Sequence, residues 1–423
     1  MLKRHYPDFY RLLESIPDHR ARRSYSIAEI IMGGLSMFIF KCGSRNNTDK
    51  FITDRVEKNF VTIFGLRLPV MDTVDIFLRE LPTCELEEIK QLLVRQLIEK
   101  RALDKFRYCG CFIVAVDGTG VYSFDYEPFA GCPHKTSKNG KTTWQVYVLE
   151  AKIVCSNNFS ISLATEWLQN SDNMDEKQDC EQKAFVRLAC KLKKMYPRMA
   201  VAIAADALYP NNTFFDICRK NGWRFILTFK EGTLKTVWEE VMSLYPLQEK
   251  QNKQTRIKKY KQGKGWMEES SMFINGIDYK KHRLNWVEYT LCHTGKNTSH
   301  QRFVHITDLD VSRQTVWETS FYGRLRWKIE NEGFNTQKNG GYNLQHKYSR
   351  KHIGAMQNYY QLLQIAHLIV QLTERLKAVQ EGMELSERTT KSLWTDLLAT
   401  MLKEKIETGE VCEIIENTRQ LRY

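Results

Sequence analysis

The feature that most constrains this chain is a pair of short apolar runs, each closed by an aspartate. Cys111-Phe-Ile-Val-Ala-Val116 ends in Asp117-Gly118-Thr119-Gly120, and Met199 to Ala205 ends in Asp206. Continuous apolar runs of this length, bounded by turn residues, read as strands buried on both faces of a sheet. The pattern predicts that both aspartates stand where a buried strand emerges into a loop. One Asp in such a place commonly does no more than open a turn. Two of them in one sheet call for a chemical explanation.

The surrounding elements support a sheet. Trp144 to Val154 and Phe159 to Glu166 read as strands joined by the turn Cys155-Ser-Asn-Asn158. Helix-compatible spacing follows at Glu176 to Lys194, then the Met199 run, a short helix at Asn212 to Lys220, a strand at Trp223 to Phe229 and a helix at Thr233 to Leu244. Three strands, helix, strand, helix, strand, helix suits an antiparallel meander followed by parallel crossovers. An α/β mixed sheet of this order resembles the ribonuclease H-like fold.

Residues 1–105 read as a helical N-terminal domain and a possible DNA-binding one. Its expected helices are Tyr6 to Glu14, Ile27 to Phe40, Thr48 to Phe64, Val70 to Leu81 and Leu86 to Arg101. The sheet domain is expected over 106–244 and 311–380. Between these parts, 245–310 reads as a β-rich insertion. It has strands at Ser271 to Ile274, Leu284 to Cys292 and Phe303 to Ile306, with turns at Asn275-Gly276 and Gly295-Lys296-Asn297. A helix from Arg313 through Lys338, another containing Met356 to Gln380, and a helical tail over 381–423 complete the reading. The apolar run Ile30 to Phe40 is too short to span a bilayer and reads as a buried helix.

Charge narrows the function. The 63 Lys/Arg residues exceed the 50 Asp/Glu residues, for a net +13. That balance permits a polyanionic partner without requiring one. Eleven scattered cysteines form no disulfide framework, which suits a reducing compartment. There is no phosphate-binding P-loop and no glycine-rich dinucleotide signature.

Phosphodiester cleavage through two metals needs carboxylates that converge on ions about 4 Å apart, and Mg²⁺ favours oxygen ligands. Asp117 and Asp206 supply two. A third lies in Arg324-Leu-Arg326-Trp-Lys-Ile-Glu330-Asn-Glu332-Gly-Phe-Asn-Thr-Gln-Lys338. On a helix Arg326 and Glu330 share a face, and Lys338 lies two turns beyond. Cations beside such a carboxylate suit a site that opens onto phosphates, although a surface ion pair has the same spacing.

Arg326-Trp-Lys-Ile-Glu330, followed by Phe334-Asn335 and Lys338, resembles the Tyr-Arg-Glu-Lys signature of DDE insertion-sequence transposases. Val116-Asp117-Gly118-Thr119 and Ala204-Ala205-Asp206-Ala207-Leu208-Tyr209 resemble the blocks around that family's first and second Asp. Ile16-Pro-Asp-His-Arg20 and Lys177-Gln-Asp-Cys-Glu181 are similar to further recurring blocks, so the likeness runs from about residue 10 to about 375. The resemblance implies a ribonuclease H-like core and metal-dependent cleavage and strand transfer at the ends of a mobile element. It implies two Mg²⁺ or Mn²⁺ ions held by Asp117, Asp206 and Glu330, with Arg326, Lys338 and Tyr322 on phosphates. It further implies double-stranded DNA, both element ends and target, as partner, a homodimer on that DNA, and a place in the prokaryotic cytoplasm rather than a membrane.

Two departures stand out. The signature Tyr falls at Gly323, with Tyr322 one place early, and the signature Lys falls at Gln337, with Lys338 one place late. One residue on a helix turns a side chain by about 100°. Glu332 therefore competes with Glu330 as the third carboxylate. A ribonuclease H-like nuclease without strand transfer would need the same carboxylates, and a decayed DNA-binding relic would have lost their use.

Other candidates are less specific. Cys132-Pro-His134 with Cys109 and Cys111 completes no four-ligand zinc pattern. Arg20, Arg22 and Arg23 form a basic cluster between the first two helices. Lys347, Arg350, Lys351 and His352 follow the Gly340-Gly341 turn and offer a phosphate grip. The stretch Gln248 to Lys264 carries seven Lys/Arg residues beside Tyr260 and Trp266, as an exposed DNA-contacting insertion or a charged loop would.

Overall fold

A computed structural model describes residues 1–170, 178–259, 265–294, 298–387 and 389–416. Its centre is one 10-stranded sheet. The strands are β1 Phe112–Phe124, β2 His134–Thr136, β3 Thr142–Val154, β4 Ser160–Trp167, β5 Val201–Ala205, β6 Arg224–Thr228, β7 Gln254–Lys259, β8 Trp266–Tyr279, β9 His282–Thr294 and β10 Ser299–Thr307. β1, β5 and β6 run parallel side by side. β3 lies antiparallel on the other edge of β1, and the outer edge of β3 is shared by β4 and β2. The structure is thus α/β with a mixed sheet, as expected from the element order.

The stretch expected as an insertion is part of that sheet. β10 pairs antiparallel with β6, and β9, β8 and β7 continue outward in sequence-adjacent hairpins. Ladder hydrogen bonds left open on β6 are thereby closed by the chain that follows it. Gln248 to Lys264, expected as one basic stretch, divides into the end of the helix Lys235–Asn252 and strand β7. Tyr260, Lys261, Lys264 and the turn Gly295-Lys296-Asn297 lie outside the described residues.

The N-terminal helices form where the apolar spacing places them. Helix Ile27–Ile39 is buried along its whole length. It starts in a capping box: Glu29 N–H donates to Ser26 Oγ, and Ser26 N–H donates to the Glu29 carboxylate. The single helix expected over Thr48 to Phe64 is two, Arg45–Phe51 and Asp54–Phe64, because Thr53 caps the second by accepting from Val56 N–H. The long helix Ile353–Glu374 packs against Ile27–Ile39, Met71–Glu80 and Thr83–Glu99. One apolar core joins the helical region to the sheet. The tail folds back as well: Asn59 Nδ2 donates to the carbonyls of Met401 and Glu404. Among the described residues, no helix is long and apolar enough to cross a membrane.

Candidate carboxylate site

Asp117 does not sit at a strand end. β1 continues through it to Phe124, pairing with β3 throughout and changing register between Gly120 and Tyr122. The glycines that suggested a turn have another cause. A Cβ on Gly118 would meet Tyr147 Cε1 at 2.5 Å and Glu181 Oε1 at 2.6 Å, so this position is kept bare for close approach. Asp206 does follow the end of β5 and opens a turn, accepting from Leu208 N–H at 2.9 Å. Ala115 of β1 pairs with Ala204 of β5. Asp206 therefore leaves the sheet from the strand that neighbours the one carrying Asp117.

The third group arrives from a broken helix. The chain is helical over Val316–Arg324, turns, forms a π-helical segment Ile329–Asn335 and ends in Thr336–Asn339. Arg326, its side chain 7% exposed, places one Nη1 at 2.9 Å from Glu330 Oε1 and 3.3 Å from Asp117 Oδ2. One guanidinium nitrogen thus spans two carboxylates. Burial, and then the hydrogen bond with Glu330, push the Asp117 carboxyl up to about 7, against the pull of Arg326.

The same geometry separates the two glutamates. Glu332 accepts from Lys328 at 2.8 Å, and Lys328 also reaches Asn158 in the β3–β4 turn. It lines a small cavity with Asn158, Phe159 and Glu374, apart from Asp117. Glu330 is the one that meets Asp117 and Arg326.

The π-helical segment also accounts for the displaced lysine. A π turn holds one residue more than an α turn, so a side chain expected seven places after Glu330 appears eight places after it. Gln337 is fully buried, donating to Gln364 Oε1 at 2.9 Å and bonded to His367 Nδ1 at 3.0 Å. Lys338 is half-buried: burial lowers its pKa, and the charge of Asp117 opposes that shift. Lys152, buried in the sheet, holds Gln337 at 3.4 Å and Gln364 at 3.1 Å and lies over the Phe334 ring. These contacts fix the segment that carries Glu330.

Tyr322 is not brought to the carboxylates. Its ring stacks on Tyr108 at 4.3 Å, in the apolar cluster with Leu325 and Ile329. A tyrosine at position 323 has no room, since a Cβ on Gly323 would already meet His305 and Ile226 within 2.8 Å.

Three residues that the sequence reading did not single out belong to this region. Glu181, first residue of the helix Glu181–Met195, accepts from Tyr147 Oη at 2.9 Å and Tyr209 Oη at 3.3 Å. Its pKa is raised by burial, and Asp206 adds to the shift. The signal was present in the blocks ending at Glu181 and Tyr209; Lys177 of the first lies outside the described residues. Even so, among the described residues no three His, Cys, Asp or Glu side chains are gathered closely enough to hold a metal ion as they stand. Asp117 and Glu330 are joined through Arg326, and Asp206 follows the neighbouring strand β5.

The remaining candidates divide. Arg20 and Arg23 both pair with Asp18, at 2.9 Å and 3.3 Å, so that cluster is partly neutralised from within. Arg256 and Lys258 of β7 both pair with Glu269, and Trp266 is half exposed. Cys109 and Cys111 lie at the entry to β1, while Cys132 is buried and His134 exposed. Lys347, Arg350, Lys351 and His352 line an open cavity of about 720 Å³ with Arg45, Asp75 and Arg79. Comparison with known proteins adds no relative: no protein-family model matches this chain, and no curated protein matches it.

Proposed function

We propose that the chain is a DDE-type DNA transposase, with a ribonuclease H-like catalytic core that cuts and rejoins DNA at the ends of a mobile element. The observation that carries this reading is Arg326 bonded at once to Asp117 and Glu330, with Asp206 following β5, the parallel neighbour of the strand that holds Asp117. The strand order β4-β3-β1-β5-β6, with only β3 antiparallel to its neighbours, is the one a ribonuclease H-like core requires. The net charge of +13 agrees with a DNA substrate.

The donor chemistry fits Mg²⁺ or Mn²⁺. All three groups are hard carboxylate oxygens. Asp117 is raised first by burial and then by Glu330, and a bound cation would oppose both. Bound by Asp117, Asp206 and Glu330, a pair of such ions would supply Lewis acidity at the scissile phosphate. The chain's own residues do the rest. Arg326 neutralises charge where the phosphate enters, and Lys338, which feels the charge of Asp117, would take a neighbouring phosphate. Tyr147 and Tyr209 hold Glu181 against Gly118 and keep the floor of the site rigid. A homodimer would hold the two element ends together.

A second reading, a DNA-binding relic that no longer cuts, is favoured by one observation: the three carboxylates form no closed metal-holding group as placed. Incubating DNA that carries the gene's own flanking sequences with Mn²⁺ separates the two. Cuts at the element ends that vanish in Asp206→Asn support the transposase. Binding without cuts in the wild-type protein supports the relic. Cuts without joined products point to a nuclease without strand transfer.

A further inference from the structure

We infer that the cavity framed by Arg45, Arg79, Lys347, Arg350 and Lys351 is a second DNA site, one that grips the sugar-phosphate backbone of a duplex away from the carboxylates. The inference rests on the reading of the chain as a DNA-acting enzyme and adds where the duplex lies.

Four observations carry it. Among the described residues, the only acid lining the cavity is Asp75. Asp75 is 1% exposed and already paired with both Arg45, at 2.7 Å, and Arg79. It holds those two guanidinium groups from beneath and has no charge left for the others. Arg350 and Lys351 are exposed and make no ion pair among the described residues. Like charges also crowd here: His346 has its pKa lowered first by burial and then by Arg350 and Arg45. Collecting uncompensated cations in one concave surface costs folding energy, and an anionic ligand is what offsets that cost.

The rim adds a further positive element. The 22-residue helix Ile353–Glu374 starts at His352, with no side-chain cap and no acidic residue in its first turn. Its free backbone N–H groups and the positive end of its dipole favour phosphate oxygens.

The spacing fits one duplex. Lys347 Nζ lies 4.4 Å from the centroid of the Phe124 ring. Phe124 and Asp117 are on the same strand β1, seven residues apart, or at most about 23 Å at 3.3 Å per residue. A turn of DNA is about 34 Å long. A duplex of more than one turn with its scissile phosphate at Asp117 is long enough to reach past Phe124 toward this cavity. The N-terminal helices supply Arg45 and Arg79, and the loop after the carboxylate helix supplies the rest, so one backbone contact would tie both parts to the same DNA.

The test is fluorescence anisotropy of the full-length protein on two labelled duplexes, one with the element-end sequence and one unrelated, across a salt series. Arg350→Ala/Lys351→Ala should weaken binding to both duplexes alike and lower the slope of log affinity against log salt by about two. The charge-keeping Arg350→Lys/Lys351→Arg should retain most of the slope. An unchanged slope in the alanine variant, or weakening confined to one duplex, would overturn the inference. Binding of inorganic pyrophosphate or an acidic peptide that depends on these residues, with duplex affinity untouched, would overturn it too. Failure of the enzymatic reading looks different: the slope falls as stated, yet the wild-type protein makes no Mn²⁺-dependent cut.

Discussion

Asp117 on β1 and Glu150 on β3 are register partners, directly across from each other in the sheet. Their surroundings differ in one respect. Glu150 is fully buried and accepts from Ser162 Oγ at 2.6 Å and from Thr165 Oγ1, while Lys90 donates to the same two hydroxyls. Glu150, Ser162, Thr165 and Lys90 answer one another there. Asp117 is partly open, shares a single guanidinium with Glu330, and is driven up to about 7. A closed polar network specifies packing. An under-compensated one beside it, on the same strand pair, stores its mismatch for a ligand.

The widest separation should come from the glutamates. Glu330→Gln is expected to lower metal-dependent cleavage about a thousandfold, or about 4 kcal/mol of transition-state stabilisation, with DNA binding retained. Glu332→Gln should change it by no more than a few fold, because its partner is Lys328. Rate measurements that reverse the two would move the third carboxylate and break the contrast.

Next comes stability. Glu150→Ala leaves Lys90 and Lys152 buried without the carboxylate whose charge offsets their burial. Urea unfolding should show a loss of about 3–5 kcal/mol. A loss below about 1 kcal/mol would mean that the network is not the closed unit described.

The pH dependence of Asp117 has the opposite sign from that of a salt-bridged carboxylate. Burial, and then Glu330, push its carboxyl up to about 7 in the folded chain, above the ordinary carboxylate range. The native state therefore holds the extra proton between those values, and stability falls as pH rises through that window. Asp117→Asn removes this loss. Thermal melts of variant and wild type should agree near pH 4 and diverge by about 1–2 kcal/mol in favour of the variant above pH 7. A variant less stable at pH 8 would show that Arg326 already compensates the charge.

The smallest effect concerns the register of the π-helical segment. Lys338→Ala should slow cleavage about tenfold without moving the melting temperature. Gln337→Leu should do the reverse, since Gln337 serves Gln364 and His367 inside the core. Equal effects on both readouts would remove the argument that the π turn delivers Lys338 to the site.

The sequence by itself determined the elements whose apolar pattern is local. Val201–Ala205 ending at Asp206, the β3–β4 hairpin and the helix Ile27–Ile39 all form where side-chain periodicity places them, and their order dictates a mixed sheet. It also marked Arg326 and Glu330 as i and i+4 neighbours, while the turn and π segment that carry them were not in the pattern. Tertiary contact decided the rest. Gly118 reads as a turn until Tyr147 and Glu181 are seen to need its missing side chain, which keeps β1 running through Asp117. Strands β7 to β10 read as an insertion until β6 needs a partner for its open edge. The choice of Glu330 over Glu332, and of Lys338 over Gln337, depends on one extra residue in a π turn. That turn is set by Phe334 and Gln337 packing on Lys152 and Gln364, far away in the chain, so no local pattern encodes it.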